Sequence, residues 1–76
     1  MNEHIGMLGL RSLRKQRKLS QLKVAMDLNI SREALSHYET GKRSPDIHML
    51  RQMSSYFNVS IDFLINGDEF PNNTIN

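Results

Sequence analysis

Apolar residues recur three or four positions apart along most of the chain, a spacing that places them on one face of a helix. The chain contains no convincing strand. Turn-forming residues interrupt the pattern at short intervals, so each helix must be short. The pattern therefore predicts an all-α fold with five helices, over about residues 5–17, 21–28, 32–40, 47–57 and 61–65.

Side chains that cap helix starts precede four of these segments. The predicted N-caps are Ser20, Ser31, Asp46 and Ser60. Asn29 and Gly41 tolerate the left-handed backbone that ends a helix, so each is expected to stop the helix before it. Phe57-Asn58-Val59-Ser60 has the same pattern as Leu28-Asn29-Ile30-Ser31, in which an apolar residue and an asparagine are followed by an apolar residue and a serine. The pattern therefore predicts a second junction of the same type between two helices.

The spacing also selects the side chains that we expect to face a common core. Leu10 and Leu13 do so in the first helix. Gly6 and Gly9 weaken the start of that helix, because glycine in a helix interior costs about 1 kcal/mol relative to alanine. The other expected core residues are Leu22, Val24, Ala25 and Leu28, then Leu35 and Tyr38, then Ile47, Leu50, Met53 and Phe57, with Met26 and Met49 filling gaps.

Length and composition limit the kinds of protein that the chain can be. We expect one domain over residues 1–67, followed by a polar tail over 68–76. The absence of cysteine excludes disulfides and thiolate metal sites, and the three histidines lack ligand-like spacing, so no metal site is predicted. No apolar run approaches the ~18–20 residues that span a membrane, and no secretory signal pattern is present. We therefore expect a cytoplasmic protein without a membrane partner.

Catalytic chemistry is not predicted either. The carboxylates are scattered over helix caps and the tail, and no pair of them lies beside a histidine. The chain has neither a glycine loop that cradles phosphates nor a nucleophile motif. We expect no enzyme activity, no catalytic residue, no cofactor and no small-molecule ligand.

Charge is distributed unevenly, although the formal net charge is only +2. Residues 11–43 contain nine basic and three acidic side chains, which gives this segment a charge of +6. Residues 44–76 contain one basic and four acidic side chains, which gives −3. A basic half joined to an acidic half favours a polyanion-binding surface on the first and a separate role for the second.

The second and third predicted helices are separated by only three or four residues, which is the arrangement of a helix-turn-helix. Further strings accompany this pair, namely Leu13-Arg14, Ser20-Gln21-Leu22-Lys23-Val24-Ala25, Leu28-Asn29-Ile30-Ser31, Leu35, Tyr38-Glu39-Thr40-Gly41-Lys42, Pro45 and Phe57-Asn58-Val59-Ser60. In this order and spacing, over about residues 8–66, the chain resembles the lambda-repressor-like family of phage and bacterial repressors (Cro/CI type, also called XRE). Many members have glycine where Asn29 stands, and asparagine is the next best residue for that backbone.

The resemblance implies binding to double-stranded DNA, with residues 32–38 as a recognition helix in the major groove. The side chains implied to read bases are Arg32, Glu33, Ser36 and His37. Those implied to hold phosphates are Gln21, Lys42 and Arg43, and Gln21 is also implied to brace the recognition residue. Arg14 and Glu39 match a partly buried structural ion pair that joins helix one to the end of helix three.

One such helix reads only a few base pairs, so we expect a homodimer on a palindromic operator. Phe63 and Ile65, apolar residues of the acidic half, are the expected dimer interface. The expected function is that of a sequence-specific transcriptional regulator, acting as a repressor. The resemblance leaves one alternative open, an antitoxin or anti-repressor-type module that binds another protein.

Overall fold

The computed structural model describes residues 6–67. They form α1 (Leu8–Gln16), α2 (Gln21–Leu28), α3 (Arg32–Thr40), α4 (Ile47–Phe57) and α5 (Ile61–Asn66). No strand occurs in this range, so the predicted all-α, five-helix fold is confirmed. The predicted bounds of the three middle helices are matched, and α5 is one residue longer than expected. The expected tail, residues 68–76, and residues 1–5 lie outside the described range.

The helix ends form through local contacts, as predicted. All four N-cap side chains accept a hydrogen bond from the backbone N–H three residues further on, at 2.9–3.0 Å. Asn29 ends α2 with φ 63° and ψ 43°, and Asn58 ends α4 with φ 60° and ψ 48°. Because a serine N-cap follows two residues after each asparagine, the α2–α3 and α4–α5 junctions have the same construction.

The first helix is shorter than predicted, since it begins at Leu8 instead of residue 5 and ends at Gln16. Met7 has an extended backbone and donates its N–H to the carbonyl oxygen of Tyr38 at 3.3 Å, so the residues before α1 pack along α3. The glycines of this region lie where backbones approach closely. A Cβ placed on Gly6 would lie 1.8 Å from the carbonyl oxygen of Glu39, and one on Gly9 would lie 1.7 Å from that of Phe63.

The core lies between all five helices. Its buried apolar side chains are Met7, Leu10, Leu13, Val24, Ala25, Leu28, Leu35, Tyr38, Met53, Phe57 and Leu64. Three residues expected in the core are instead exposed: Leu22 by 56%, Met26 by 68% and Ile47 by 53%. Leu22 and Met26 each stand two residues from buried Val24, and two residues turn a helix by about 200°, so they face away from the core. Ile47 is the first residue of α4, at the edge of its buried face.

Two side chains tie α4 to the rest of the domain. Arg17 donates from Nη2 to the carbonyl oxygen of Phe57 at 2.8 Å, and its guanidinium lies 5.5 Å from the centre of the Phe57 ring. This contact satisfies a carbonyl that the end of α4 leaves without a helical partner. The Tyr56 hydroxyl donates to Oδ2 of Asp27 at 2.6 Å, which joins α4 to α2.

The contact between Tyr56 and Asp27 shifts the pKa of both groups. Burial raises the pKa of Tyr56 to about 12, and the hydrogen bond to Asp27 and the charge of that carboxylate act in the same direction. The hydrogen bond from Tyr56 is also the largest cause that lowers the pKa of Asp27. The folded chain thus favours a neutral phenol beside an ionised carboxylate.

We expect Gly9→Ala to destabilise the fold by about 1–3 kcal/mol, because the added methyl group would push the backbone of α5 away from α1. This is opposite to the usual effect, since alanine forms helices better than glycine by about 1 kcal/mol. Urea unfolding followed by circular dichroism measures the change. Ser12→Ala, at an exposed position of the same helix, is the control and should be as stable as the wild type or slightly more so, because alanine also forms helices better than serine. A Gly9→Ala protein as stable as the wild type would contradict the close approach of the two helices.

A second prediction concerns the pH dependence that Tyr56 confers. Its pKa of about 12 in the folded chain lies above the ordinary value of about 10, so its contribution to stability is complete below about pH 10 and declines as the pH rises toward 12. Phenolate absorbance should therefore show one component with a midpoint near 12, absent from Tyr56→Phe. Asp27→Asn should lower this midpoint, because the negative charge beside the phenol is removed. A titration midpoint of Tyr56 that Asp27→Asn leaves unchanged would contradict the hydrogen bond between Tyr56 and Asp27.

Candidate nucleic-acid interface

The turn between α2 and α3 is short and well hydrogen-bonded. The N–H groups of Asn29 and Ile30 donate to the carbonyl oxygens of Met26 and Ala25, at 3.1 and 2.9 Å. Ile30 is half-buried and packs against the core. Because only residues 29–31 separate the two helices, and all three are held in place, the direction of α3 relative to α2 is fixed.

The helix α3 has one buried and one accessible side. Its buried residues are Leu35, Tyr38 and Glu39. The residues expected to read bases lie on the accessible side, where Arg32 and Glu33 are exposed and Ser36 and His37 are partly exposed. At about 100° per residue, these four fall within about 140° of one another around the helix axis. They therefore share one face.

Sequence reasoning missed one residue of this face. Thr40 is exposed and, four positions after Ser36, falls in the middle of the accessible arc. Helical spacing could have identified it. Together with Ser36, His37 and Lys42, Thr40 lines a surface concavity of about 500 Å³. The hydroxyl of Thr40 donates to the carbonyl oxygen of His37 at 3.4 Å and can still accept, whereas the Ser36 hydroxyl, the His37 imidazole and the Lys42 ammonium group are able to donate hydrogen bonds to phosphate oxygens or base edges.

The imidazole of His37 has unused hydrogen-bonding capacity. Its Nδ1 atom is buried and has no hydrogen-bond partner among the described residues. Its Nε2 atom lies 4.0 Å from a carboxylate oxygen of Glu33, one helical turn earlier. The carbonyl oxygen of His37 accepts from the N–H of Arg43 at 3.2 Å, which folds the segment after α3 back over the helix end.

The basic residues after α3 are accessible to a ligand. Lys42 and Arg43 are both exposed. The guanidinium of Arg43 lies 5.8 Å from the centre of the Tyr38 ring, so an aromatic face supports its position while the charge stays at the surface. Because Lys42 and Arg43 follow Thr40, the last residue of α3, their charges lie at the C-terminal end of that helix.

Arg14 and Glu39 form a buried, two-point ion pair between α1 and α3. Nε of Arg14 donates to Oε2 of Glu39 at 2.6 Å, and Nη2 donates to Oε1 at 3.1 Å. Nη1 of Arg14 donates to the carbonyl oxygen of Leu19 at 2.9 Å. The guanidinium thus has a partner on each nitrogen, and Glu39 is held in one orientation.

Gln21 connects this pair to the accessible side of α3. Its Nε2 donates to Oε1 of Glu39 at 3.0 Å, and its Oε1 accepts from Nη1 of Arg32 at 3.1 Å. Four side chains, Arg14, Glu39, Gln21 and Arg32, therefore form one continuous series of hydrogen bonds from the core to the surface. The sequence predicted roles for each of them, and the resemblance implied that Gln21 braces the recognition residue. The link from Glu39 to Gln21 was not predicted, because the members come from three helices with no common spacing.

The residues expected at a dimer interface differ in accessibility. Ile65 is 42% exposed, whereas Phe63 is only partly exposed because it packs against the core. A further apolar side chain, Leu8, is exposed at the start of α1, and its Cβ would lie 3.7 Å from a Cβ placed on Gly67. The α1–α5 side of the domain therefore carries exposed apolar surface.

Two other kinds of site are absent from residues 6–67. No helix there is both long enough and apolar enough to cross a membrane. No three histidine, aspartate or glutamate side chains of this range lie together as ligands of a metal ion would. The outward side of α3 and the adjoining basic residues remain the part of the described surface with the most concentrated polar chemistry.

Comparison with known proteins identifies relatives of the whole helical region. A family model described as helix-turn-helix matches residues 10–64. The chain is 42% identical over 59 residues to the uncharacterized HTH-type transcriptional regulator YqaE of Bacillus subtilis, a match that covers 78% of this chain and 51% of YqaE. It is 40% identical over 60 residues to the HTH-type transcriptional activator BcrR of Enterococcus faecalis, covering 79% of this chain and 29% of BcrR.

A third relative is named for a different role. The chain is 36% identical over 63 residues to the antitoxin PezA of Streptococcus pneumoniae, covering 83% of this chain and 40% of PezA. The chain thus spans about half the length of YqaE and less of the other two relatives. No solved structure matches the chain at a significant level.

Proposed function

The chain belongs to the lambda-repressor-like (XRE-type) helix-turn-helix family, and on this basis we propose that it is a sequence-specific DNA-binding transcriptional regulator. The observation that carries the proposal is the accessible face of α3, which follows a rigid three-residue turn and presents Arg32, Glu33, Ser36 and His37. The names of YqaE, an HTH-type transcriptional regulator, and BcrR, an HTH-type transcriptional activator, support it. They equally support the expectation that the chain is not an enzyme.

The proposed contacts to bases follow from the chemistry of this face. An exposed arginine can donate two hydrogen bonds to guanine O6 and N7, and a carboxylate can accept from the amino group of cytosine. Arg32 and Glu33, in the first turn of α3, supply these two groups. Ser36 and His37, one turn further along, supply a hydroxyl and an imidazole to the neighbouring positions. In this arrangement α3 lies in the major groove with its N-terminal part toward the base edges.

The proposed phosphate contacts surround the base-reading face. Lys42 and Arg43 carry exposed positive charges beyond the C-terminal end of α3. Gln21, the first residue of α2, donates one amide hydrogen to Glu39 and has a second one for a phosphate oxygen. Such contacts fix the position of a protein on the duplex without specifying its sequence.

We place two copies of the chain on a palindromic operator, with half-sites about 34 Å apart, since one recognition helix contacts too few base pairs. Ile65 and Phe63, extended by exposed Leu8, form the proposed interface between the copies. Repression is the proposed mode, because occupation of the operator alone can block access to it. BcrR is named an activator, so activation is the competing outcome.

The similarity to PezA favours a second candidate function, that of an antitoxin whose target is another protein. Exposed Leu22 and Met26 on α2 would be available for such a contact. This candidate and the first one differ in whether the isolated chain selects particular DNA sequences.

In vitro selection of duplexes from a random pool tests the proposed function. The wild-type chain is expected to select a palindromic motif, and Arg32→Ala is expected to lose one base preference per half-site, equivalent to about 1–3 kcal/mol of discrimination. An enriched motif without two-fold symmetry would contradict the dimer. Failure of the wild-type chain to enrich any motif would refute sequence-specific binding and favour the protein-binding alternative.

The contribution of Lys42 is separable from sequence reading. We expect Lys42→Ala to weaken binding to specific and random DNA alike, and to reduce the slope of log binding constant against log salt concentration by about one. Titrations at several salt concentrations measure the slope. Lys15→Ala, which removes the same charge from the exposed surface of α1, should leave the slope unchanged. Equal slopes for Lys42→Ala and the wild type would show that Lys42 touches no phosphate.

A further inference from the structure

We propose that Glu39 sets the base preference of Arg32 by fixing the orientation of the Gln21 side-chain amide. Glu39 is then a positioning residue for DNA reading, in addition to being one half of a structural ion pair. The proposal rests on the function proposed above, in which Arg32 reads a base. The family resemblance implies that Gln21 braces the recognition residue; that Glu39 fixes the amide which does so is assigned neither by the resemblance nor by the names of the relatives.

The first step is the chemistry of the three groups. A carboxylate can only accept hydrogen bonds and a guanidinium can only donate them, whereas an amide has one end of each kind. The Gln21 amide lies between Glu39 and Arg32, with Nε2 at 3.0 Å from Oε1 of Glu39 and Oε1 at 3.1 Å from Nη1 of Arg32. Reversal of the amide would place two acceptors together at one end and two donors together at the other. Only one orientation therefore satisfies both neighbours.

The second step is the rigidity of Glu39. Its side chain is only 2% exposed and is held through both oxygens by Arg14, which is itself anchored on the carbonyl oxygen of Leu19. A carboxylate at the surface could rotate to follow Gln21, but Glu39 cannot do so without breaking a buried ion pair. The orientation of the amide is thus imposed from the core outward.

The third step is the effect on Arg32. An exposed arginine has many rotamers, and ordering it on contact with DNA reduces the free energy gained from that contact. Gln21 takes one of the five N–H groups of Arg32 and leaves four for a guanine edge. An acceptor at Gln21 therefore holds the guanidinium in place before DNA arrives, and a donor there would repel it.

The test removes the acceptor that faces Gln21. In Glu39→Met, a side chain of similar length has no oxygen to accept from Nε2 of Gln21, so the amide is no longer held in one orientation. Discrimination at the base read by Arg32 should then fall by a factor of about 5–150, with little change at the other positions. Glu39→Gln is the conservative variant, because an amide oxygen in the place of Oε1 still accepts from Nη2 of Arg14 and Nε2 of Gln21, and it should keep the discrimination.

Binding of each variant is measured against the wild-type operator and its three single-base changes at the position identified with Arg32→Ala. Circular dichroism and thermal unfolding establish that each variant is folded. Asp62→Asn, which removes one exposed carboxylate from α5, is the matched control and should keep wild-type discrimination. Gln21→Met leaves the ion pair intact, removes both hydrogen bonds of the Gln21 amide, and should lose the same discrimination even if Glu39→Met does not fold.

The outcomes separate this proposal from the proposed function. A wild-type chain that selects no motif would refute the function and the inference together. A wild-type chain that reads a motif, with discrimination unchanged in folded Glu39→Met or in Gln21→Met, would overturn the inference alone. Uniform weakening of binding to all sequences in Glu39→Met, with no change in base preference, would show that Glu39 supports only the fold.

Discussion

A carboxylate and a guanidinium that are both removed from water must remain paired, because either one alone is an uncompensated buried charge that costs about 3–5 kcal/mol. Arg14 and Glu39 are such a pair, with 8% and 5% of their surfaces exposed. Because one belongs to α1 and the other to α3, the position of α3 on the core is fixed by the requirement that they meet. The hydrogen bonds of Gln21 and the surface position of Arg32 are built outward from that contact.

The remaining contacts divide the molecule into a stiff framework and an accessible side. The close approach of α1 and α5 at Gly9, the Arg17 contact at the end of α4 and the Tyr56–Asp27 hydrogen bond all join helices that are distant in sequence. None of these groups belongs to the outward face of α3. That face can therefore carry polar side chains chosen for a ligand, since the contacts that hold the helices together are made elsewhere.

The sequence predicted those features that depend on neighbouring residues. A serine or aspartate cap and a left-handed asparagine act within one turn of the chain, so Ser31 and Asn29 could be assigned from the local pattern alone. Features that depend on residues brought together by folding could not be found in this way. From the sequence, Gly9 was expected only to weaken the start of α1, whereas in the structure its missing side chain lets the backbone of α5 approach α1 closely. Leu22 was assigned to the core by its apolar character, although its position on the helix directs it outward.

The site was predicted to a similar extent. Helical spacing sufficed to select the outward residues of α3, and it could also have found Thr40. The link from Glu39 through Gln21 to Arg32 has no counterpart in spacing, because it depends on the α1–α3 contact. What each of these side chains contacts on a ligand is a matter for binding measurements, since sequence pattern and free-chain geometry specify donors and acceptors but not their partners.

The two identical junctions have a consequence for how such turns should be interpreted. The backbone at Asn29 is repeated at Asn58 almost angle for angle, and each asparagine leads into a serine-capped helix. Each of the two following helices has an acidic residue in its first turn, Glu33 or Asp62. They differ in basic residues, since α3 begins with Arg32 and is followed by Lys42 and Arg43, whereas α5 has none. The domain thus contains an internal comparison in which the junction is the same and basic side chains accompany one copy of it. The turn is a general way of joining two helices, and the basic residues beside it determine whether a polyanion is attracted.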